Sequence, residues 1–270
     1  MILYKYMSFG ATRKVVDTLS LGFSCLEDLN DPFECTAFGF KDSEESISAE
    51  TATDACRNRF SRKYGVLSLT RQPLNALMWS HYGDSHQGVV LGFDCDLAGF
   101  SDPRSNVIPS QYGEMIYSAT KPHNDLPVIG ESELMDIGGS LRFDSNAFNL
   151  MKRAFLYKSL EWAYEEEVRV VKNIGGIPFG YHTGGGRHRE CNKVTVSGRP
   201  LYCFDVPENS LKEIYLGRHL YRNVTKGGSV TDEELKGVLQ SWGEKDIKMM
   251  QCEPDVHSWN LVAKPSINRS

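Results

Sequence analysis

Three successive glutamates open an apolar run at residues 165–172, inside the string Lys158-Ser-Leu-Glu-Trp-Ala-Tyr-Glu-Glu-Glu-Val-Arg169. A carboxylate turned inward without a partner is costly. The strand that this run predicts must therefore have two chemically distinct faces. Alternation puts Glu165, Glu167 and Arg169 on one of them, and Tyr164, Glu166, Val168 and Val170 on the other. The valines suit a core. The charged face lines either a cleft or open solvent, and in solvent a local Glu–Arg pair contributes little.

The rest of the chain intermixes short strands and helices without a regular βαβ period or an internal repeat. Apolar alternation predicts strands at 2–7, 64–70, 88–95, 113–118, 166–172, 201–206, 211–216, 247–252 and 259–263. Helical spacing predicts helices at 11–21, 47–61, 73–82 (with Pro73 at the first helical position), 131–159 and 231–240. Asn30-Asp31-Pro32 is turn chemistry. The expected fold is α+β: a single compact domain over residues 1–265, with a mixed or antiparallel split sheet flanked by helices. A flexible, glycine-rich basic loop at 175–199 carries Arg187, His188, Arg189 and Lys193, and residues 266–270 form a tail.

The 270 residues carry a net charge of −5 and are 40% hydrophobic, an ordinary globular balance. That balance argues against a surface built wholly to coat nucleic acid. No apolar run approaches the ~18–20 residues of a membrane span. The start reads as no signal peptide, and seven scattered cysteines without CxxC spacing read as reduced thiols, so a cytoplasmic protein is expected.

Phosphate-loop, HExxH, GxSxG and GxGxxG signatures do not occur. Other candidates for chemistry remain. Trp79 and Tyr82, near His81, form either an aromatic wall for a planar ring or ordinary core. Lys5, on an otherwise apolar strand, calls for an anionic partner, a ligand phosphate or solvent. His81 and His86 are poor metal partners without a carboxylate at helical spacing, and no metal is expected.

The sequence has LYKY at 3–6, NDPFE at 30–34, SLT at 68–70 and LMWSHYGDSHQGVVLGFD at 77–94. K-x-x-x-W-x-Y-E-x-E-x-R follows at 158–169 and EIYLG at 213–217. As a set these resemble a bacterial family of unknown function, met also in phage-related islands, over most of the chain. More distantly, the order of candidate residues is similar to that of ADP-ribosyltransferases. Those enzymes carry an Arg or His on a first strand, a Ser or Tyr on a middle strand and a Glu, often within E-x-E, on a late one. Here the positions hold Lys5 with Tyr6, Ser68, and Glu165-x-Glu167; the first departs from the pattern.

The resemblance implies an ADP-ribosyltransferase-like sheet, NAD as substrate, and Glu167, Glu165 and Ser68 as catalytic residues. Tyr6, Trp79 and Tyr82 would stack on the nicotinamide, Lys5 or Arg169 would meet the pyrophosphate, and His81 would be a further cofactor-binding residue. The expected activity is ADP-ribosyl transfer to a macromolecular acceptor, protein or nucleic acid, or NAD hydrolysis, as in a toxin or phage-defence effector. Two other readings stay open. One is a non-catalytic module that binds a nucleotide, nucleic acid or protein through the aromatic wall and the basic loop. The other is a metal-dependent nuclease using Glu165, Glu167 and the histidines.

Overall fold

The computed structural model describes residues 1–41, 48–124, 126–127, 139–177, 186–188, 191–222 and 230–266. The first element is strand β1 (Ile2–Met7), followed by helix α1 (Phe9–Thr18) and strand β2 (Ser20–Phe23). Helix α2 (Ala49–Lys63) runs directly into β3 (Tyr64–Thr70). Next come α3 (Ala76–His81), β4 (Val89–Asp94), β5 (Ile116–Ser118), α4 (Phe148–Phe155) and β6 (Tyr157–Ser159). A 3-10 turn (Leu160–Glu165) leads into β7 (Glu167–Asn173). The remaining strands are β8 (Gly186–His188), β9 (Cys191–Val196), β10 (Arg199–Asp205), β11 (Leu211–Leu216), β12 (Lys248–Pro254) and β13 (Leu261–Pro265). Helix α5 (Asp232–Gly243) precedes β12 and opens on a capping box between Thr231 and Glu234.

The architecture is mixed α and β, as expected. Seven strands form one sheet in the order β13-β12-β11-β4-β1-β3-β7, with β11 and β12 parallel and the other neighbours antiparallel. A second sheet has the order β2-β10-β9-β8, and β5 and β6 form a parallel pair. On one face of the large sheet, Leu3, Leu67, Leu91, Val168 and Val170 pack with α1, α5 and residues of the second sheet. The opposite face carries two smaller cores. Tyr64, Val66 and Val171 pack with α2 and α4, whereas Tyr6, Val90 and Tyr215 pack with Met78 and Trp79 of α3.

These two cores meet at a fork. Strands β1 and β3 share a single paired position, Tyr4 with Thr70. Below it β3 changes partner: Val66 exchanges both backbone hydrogen bonds with Ser24, just past β2. Between them the Ser68 carbonyl takes the Lys5 ammonium at 2.8 Å. A buried carbonyl needs some partner, and here a side chain holds the sheet open.

Several boundaries differ from expectation. The long helix expected at 131–159 is not there: residues 131–138 lie outside the described residues, and α4 covers only Phe148–Phe155. An aspartate turn, with Asp144 Oδ1 accepting from the Asn146 N–H at 2.9 Å, precedes that helix. Helix α3 begins at Ala76 rather than Pro73, because Asn75 caps it by accepting from the Leu77 and Met78 N–H groups. Part of the expected loop at 175–199 is strand, β8 and β9, while residues 178–185, 189 and 190 lie outside the described residues, as do 267–270 of the tail. Strand β13 starts at Leu261, leaving Trp259 fully exposed on the hairpin tip. Among the described residues no helix is long and apolar enough to cross a membrane.

Candidate functional site

The fork opens a cavity of about 260 Å³. Seven of the nine residues singled out in the sequence line it: Lys5, Tyr6, Ser68, Tyr82, Glu165, Glu167 and Arg169. The other two do not. Trp79 is fully buried, with its indole N–H on the Pro73 carbonyl at 3.0 Å, and is a core residue. His81 is exposed at the end of α3 and lies outside the lining. The expected aromatic wall is therefore reduced to Tyr82 and Tyr6, and even the Tyr6 hydroxyl is engaged, donating to the Gln72 carbonyl at 2.7 Å.

Adjacent strands supply the charged centre. Register pairs Ser68 with Arg169 and Thr70 with Glu167, so these side chains share a face of the sheet. Glu167, 4% exposed, accepts from Arg169 Nε at 2.8 Å and from Lys158 Nζ at 3.1 Å. The Ser68 hydroxyl also bonds it. Burial raises its carboxyl, but Arg169 and Lys158 outweigh burial and hold it at about 2.

Glu165 arrives by a different route from the one expected. It ends the 3-10 turn, and Glu166 at φ 43 turns the chain before β7 begins. Its Oε1 accepts from the Tyr82 hydroxyl and its Oε2 from Lys158 Nζ, both at 2.6 Å. Glu166 is exposed and accepts from Gln72 at 3.0 Å. Burial lowers the Lys158 ammonium, yet Glu167 and Glu165 overcome this and raise it. Burial likewise lowers Lys5, which the same two glutamates only partly offset. Burial and the bond to Glu165 raise the Tyr82 hydroxyl, so it remains a donor.

Arg169 is 1% exposed and fully engaged within the protein. Glu34 takes its guanidinium in a fork, at 2.8 and 2.5 Å, and the Phe155 carbonyl accepts at 2.7 Å. It orients carboxylates and offers nothing to a pyrophosphate, which corrects the role expected for it. Sequence reasoning missed Glu34, Lys158 and Trp162 as lining residues. The signal for Glu34 was present: an arginine inside an apolar strand demands carboxylates. NDPFE builds the turn that supplies one, with Asp31 Oδ1 accepting from the Phe33 N–H at 2.9 Å.

Five acids (Asp28, Asp31, Glu34, Glu165 and Glu167) line the cavity against three bases, Lys5, Lys158 and Arg169. The site carries an excess of negative charge, and the ammonium of Lys158 occupies the place between Glu165 and Glu167. Among the described residues no group of three His, Cys, Asp or Glu side chains could hold a metal ion. Of the basic loop residues expected to meet nucleic acid, Lys193 is buried on β9, Arg189 lies outside the described residues and no side-chain placement is described for Arg187.

Residues 78–170 match a family model described as a protein of unknown function (DUF2971). That span carries β4 to β6, Lys158, and the Glu165–Glu167–Arg169 centre; LYKY, NDPFE and Ser68 fall outside it. No curated protein and no solved structure matches the chain.

Proposed function

We propose that the fork cavity binds the nicotinamide-ribosyl end of NAD and breaks its glycosidic bond, as a glycohydrolase or an ADP-ribosyltransferase. The observation that carries this reading is the convergence of Lys5, Ser68 and Glu167, from three neighbouring strands, on one acidic cavity. In the reaction the C–N bond breaks with its electron pair passing to the ring nitrogen. Cationic nicotinamide leaves neutral, and positive charge develops on the sugar. Water or an acceptor hydroxyl then bonds to the anomeric carbon and releases its proton. A carboxylate held at about 2 is a poor proton acceptor at neutral pH. It is suited to stabilising a developing cation, because its donors already fix it in place. Glu165, held by the Tyr82 hydroxyl and Lys158, is the carboxylate to which this reading assigns the orienting of the nucleophile. In a bacterial cell such an activity fits a toxin or a phage-defence effector.

The cavity is below the ~300–1,000 Å³ usual for a whole small-molecule site, so it suits one end of a dinucleotide. The test is nicotinamide release by pure protein, alone and with cell lysate as acceptor, against Glu167→Gln. Release that falls at least about a hundredfold in the variant is expected when charge stabilisation is lost. Equal release from both proteins, or none from either, refutes the proposal.

The excess of acid also favours a second reading, a non-catalytic pocket for a cationic ligand. It predicts binding of nicotinamide riboside without turnover.

A further inference from the structure

A second cavity, of about 180 Å³, lies on the other side of strand β6. It touches the first at two places: Lys158 lines both, and the neighbouring residues Phe33 and Glu34 line the second and the first respectively. The two are opposite in charge. Among the described residues no carboxylate lines the second cavity; the Lys158 ammonium is held by Glu165 and Glu167 in the first, so the charge the second cavity has to offer is that of Lys121. Phe33 is 55% exposed, an unusual position for a large aromatic side chain, and the Lys121 ammonium stands 4.8 Å from its ring centre. Tyr157 lines the same cavity, with the Arg153 guanidinium 5.6 Å from its ring centre. Among the described residues Lys121 has no carboxylate partner.

We infer that this cavity is a subsite for the phosphate-bearing nucleotide half of the ligand, with Lys121 as the phosphate cation and Phe33 as the stacking surface. NAD is itself bipolar, with a cationic nicotinamide ring at one end and an anionic pyrophosphate joined to a flat base. The acidic fork suits the first part and rejects the second. The aromatic cavity with Lys121 has the complementary chemistry, and it shares Lys158 with the fork, with Phe33 and Glu34 as adjacent residues on the two linings. On binding, the Lys121 ammonium would leave the Phe33 ring for a phosphate oxygen, and the base would take its place on the ring face. The identity of the whole ligand rests on the function proposed above; the subsite is testable without turnover.

The experiment is calorimetric titration of the full chain with two probes, ADP and nicotinamide riboside, in metal-free buffer. Wild-type protein is compared with Lys121→Gln, Lys121→Glu and Phe33→Ala. Both positions are at the surface, so the variants should keep the wild-type melting temperature. ADP affinity should fall at least about tenfold in Lys121→Gln and Phe33→Ala, the effect expected for one charge-assisted hydrogen bond or one stacked ring. It should fall further in Lys121→Glu and weaken with added salt. The loss should be confined to ADP. If ADP does not bind the wild type, or binds all four proteins equally, the subsite is wrong. If ADP follows the expected pattern while nicotinamide riboside fails to bind, the subsite stands and the reading of the fork cavity falls.

Discussion

The side chain with the most to reveal is Glu167. In the sequence it reads as one member of a charged strand face. On that reading Glu167→Gln removes charge at a cost of about a kcal/mol or less. Its 4% exposure and its bonds to Arg169, Lys158 and Ser68 change that expectation. An amide cannot accept at both positions, so the variant leaves buried donors short of partners and should lose about 1–3 kcal/mol. The pH dependence has a definite sign. Its folded carboxyl lies at about 2, below the ~4.3 of an unfolded glutamate. The associated stability is fully present above the unfolded value and is lost as pH falls toward 2. Urea midpoints at pH 7, 4 and 3 should therefore converge between wild type and Glu167→Gln as acid is added; a gap that stays constant would contradict the assigned ionisation. Glu165 was legible as a site residue for an incomplete reason. Strict alternation placed it beside Glu167, whereas the structure achieves the same neighbourhood through a 3-10 turn and the positive φ of Glu166.

Elements with strong periodicity or caps were the legible ones. β1, β3 and β11 fall where alternation put them, and α2 and α5 within two or three residues of expectation. What hid β8 and β9 was glycine and charge, since Lys193 reads as a loop cation until the fold buries it. Of the strand expected over 113–118, only Ile116–Ser118 is strand β5, and the strip at 113–115 is fixed by backbone contact instead. Gly113 accepts from the Arg169 N–H at 2.8 Å, and a Cβ there would meet the Arg169 carbonyl oxygen at 1.8 Å. This strip leads to Tyr117, whose hydroxyl accepts from the Glu167 N–H at 2.8 Å. Gly113→Ala must push the strip off β7 and should cost about 3 kcal/mol, near the upper end for overpacking. Gly10→Ala, in α1 with open space around its Cβ, should instead stabilise by roughly 0.5–1 kcal/mol. Thermal melts of the two variants should move in opposite directions, and similar shifts would show that the 113–115 contact is not as close as described.

At the scale of the molecule, seven free cysteines distributed through the fold report on its integrity. Six are buried, and burial pushes the thiols of five of them up: to about 12 for Cys25, Cys35 and Cys252, and about 11 for Cys56 and Cys95. At pH 8 the native protein should resist iodoacetamide, with half-buried Cys203 modified first and the rest only along the urea unfolding curve. Rapid modification of a second thiol under native conditions would show that part of the core opens separately. The fork has a consequence for the order in which the molecule can be made. Its wedge residue, Lys5, lies on β1, ahead in sequence of every strand it pairs with. β1 meets β3 at one paired position and β4 along its whole length, so residues 2–7 gain their full pairing only once the chain has grown past Asp94. The carboxylates that balance Lys5 arrive only with Glu165 and Glu167. Sequence-distant pairings of this kind are closed slowly. During synthesis the cavity therefore cannot be complete before Arg169, which holds its acid in place, has been added. Chemistry that depends on the fork therefore waits for β7, however early β1 is made.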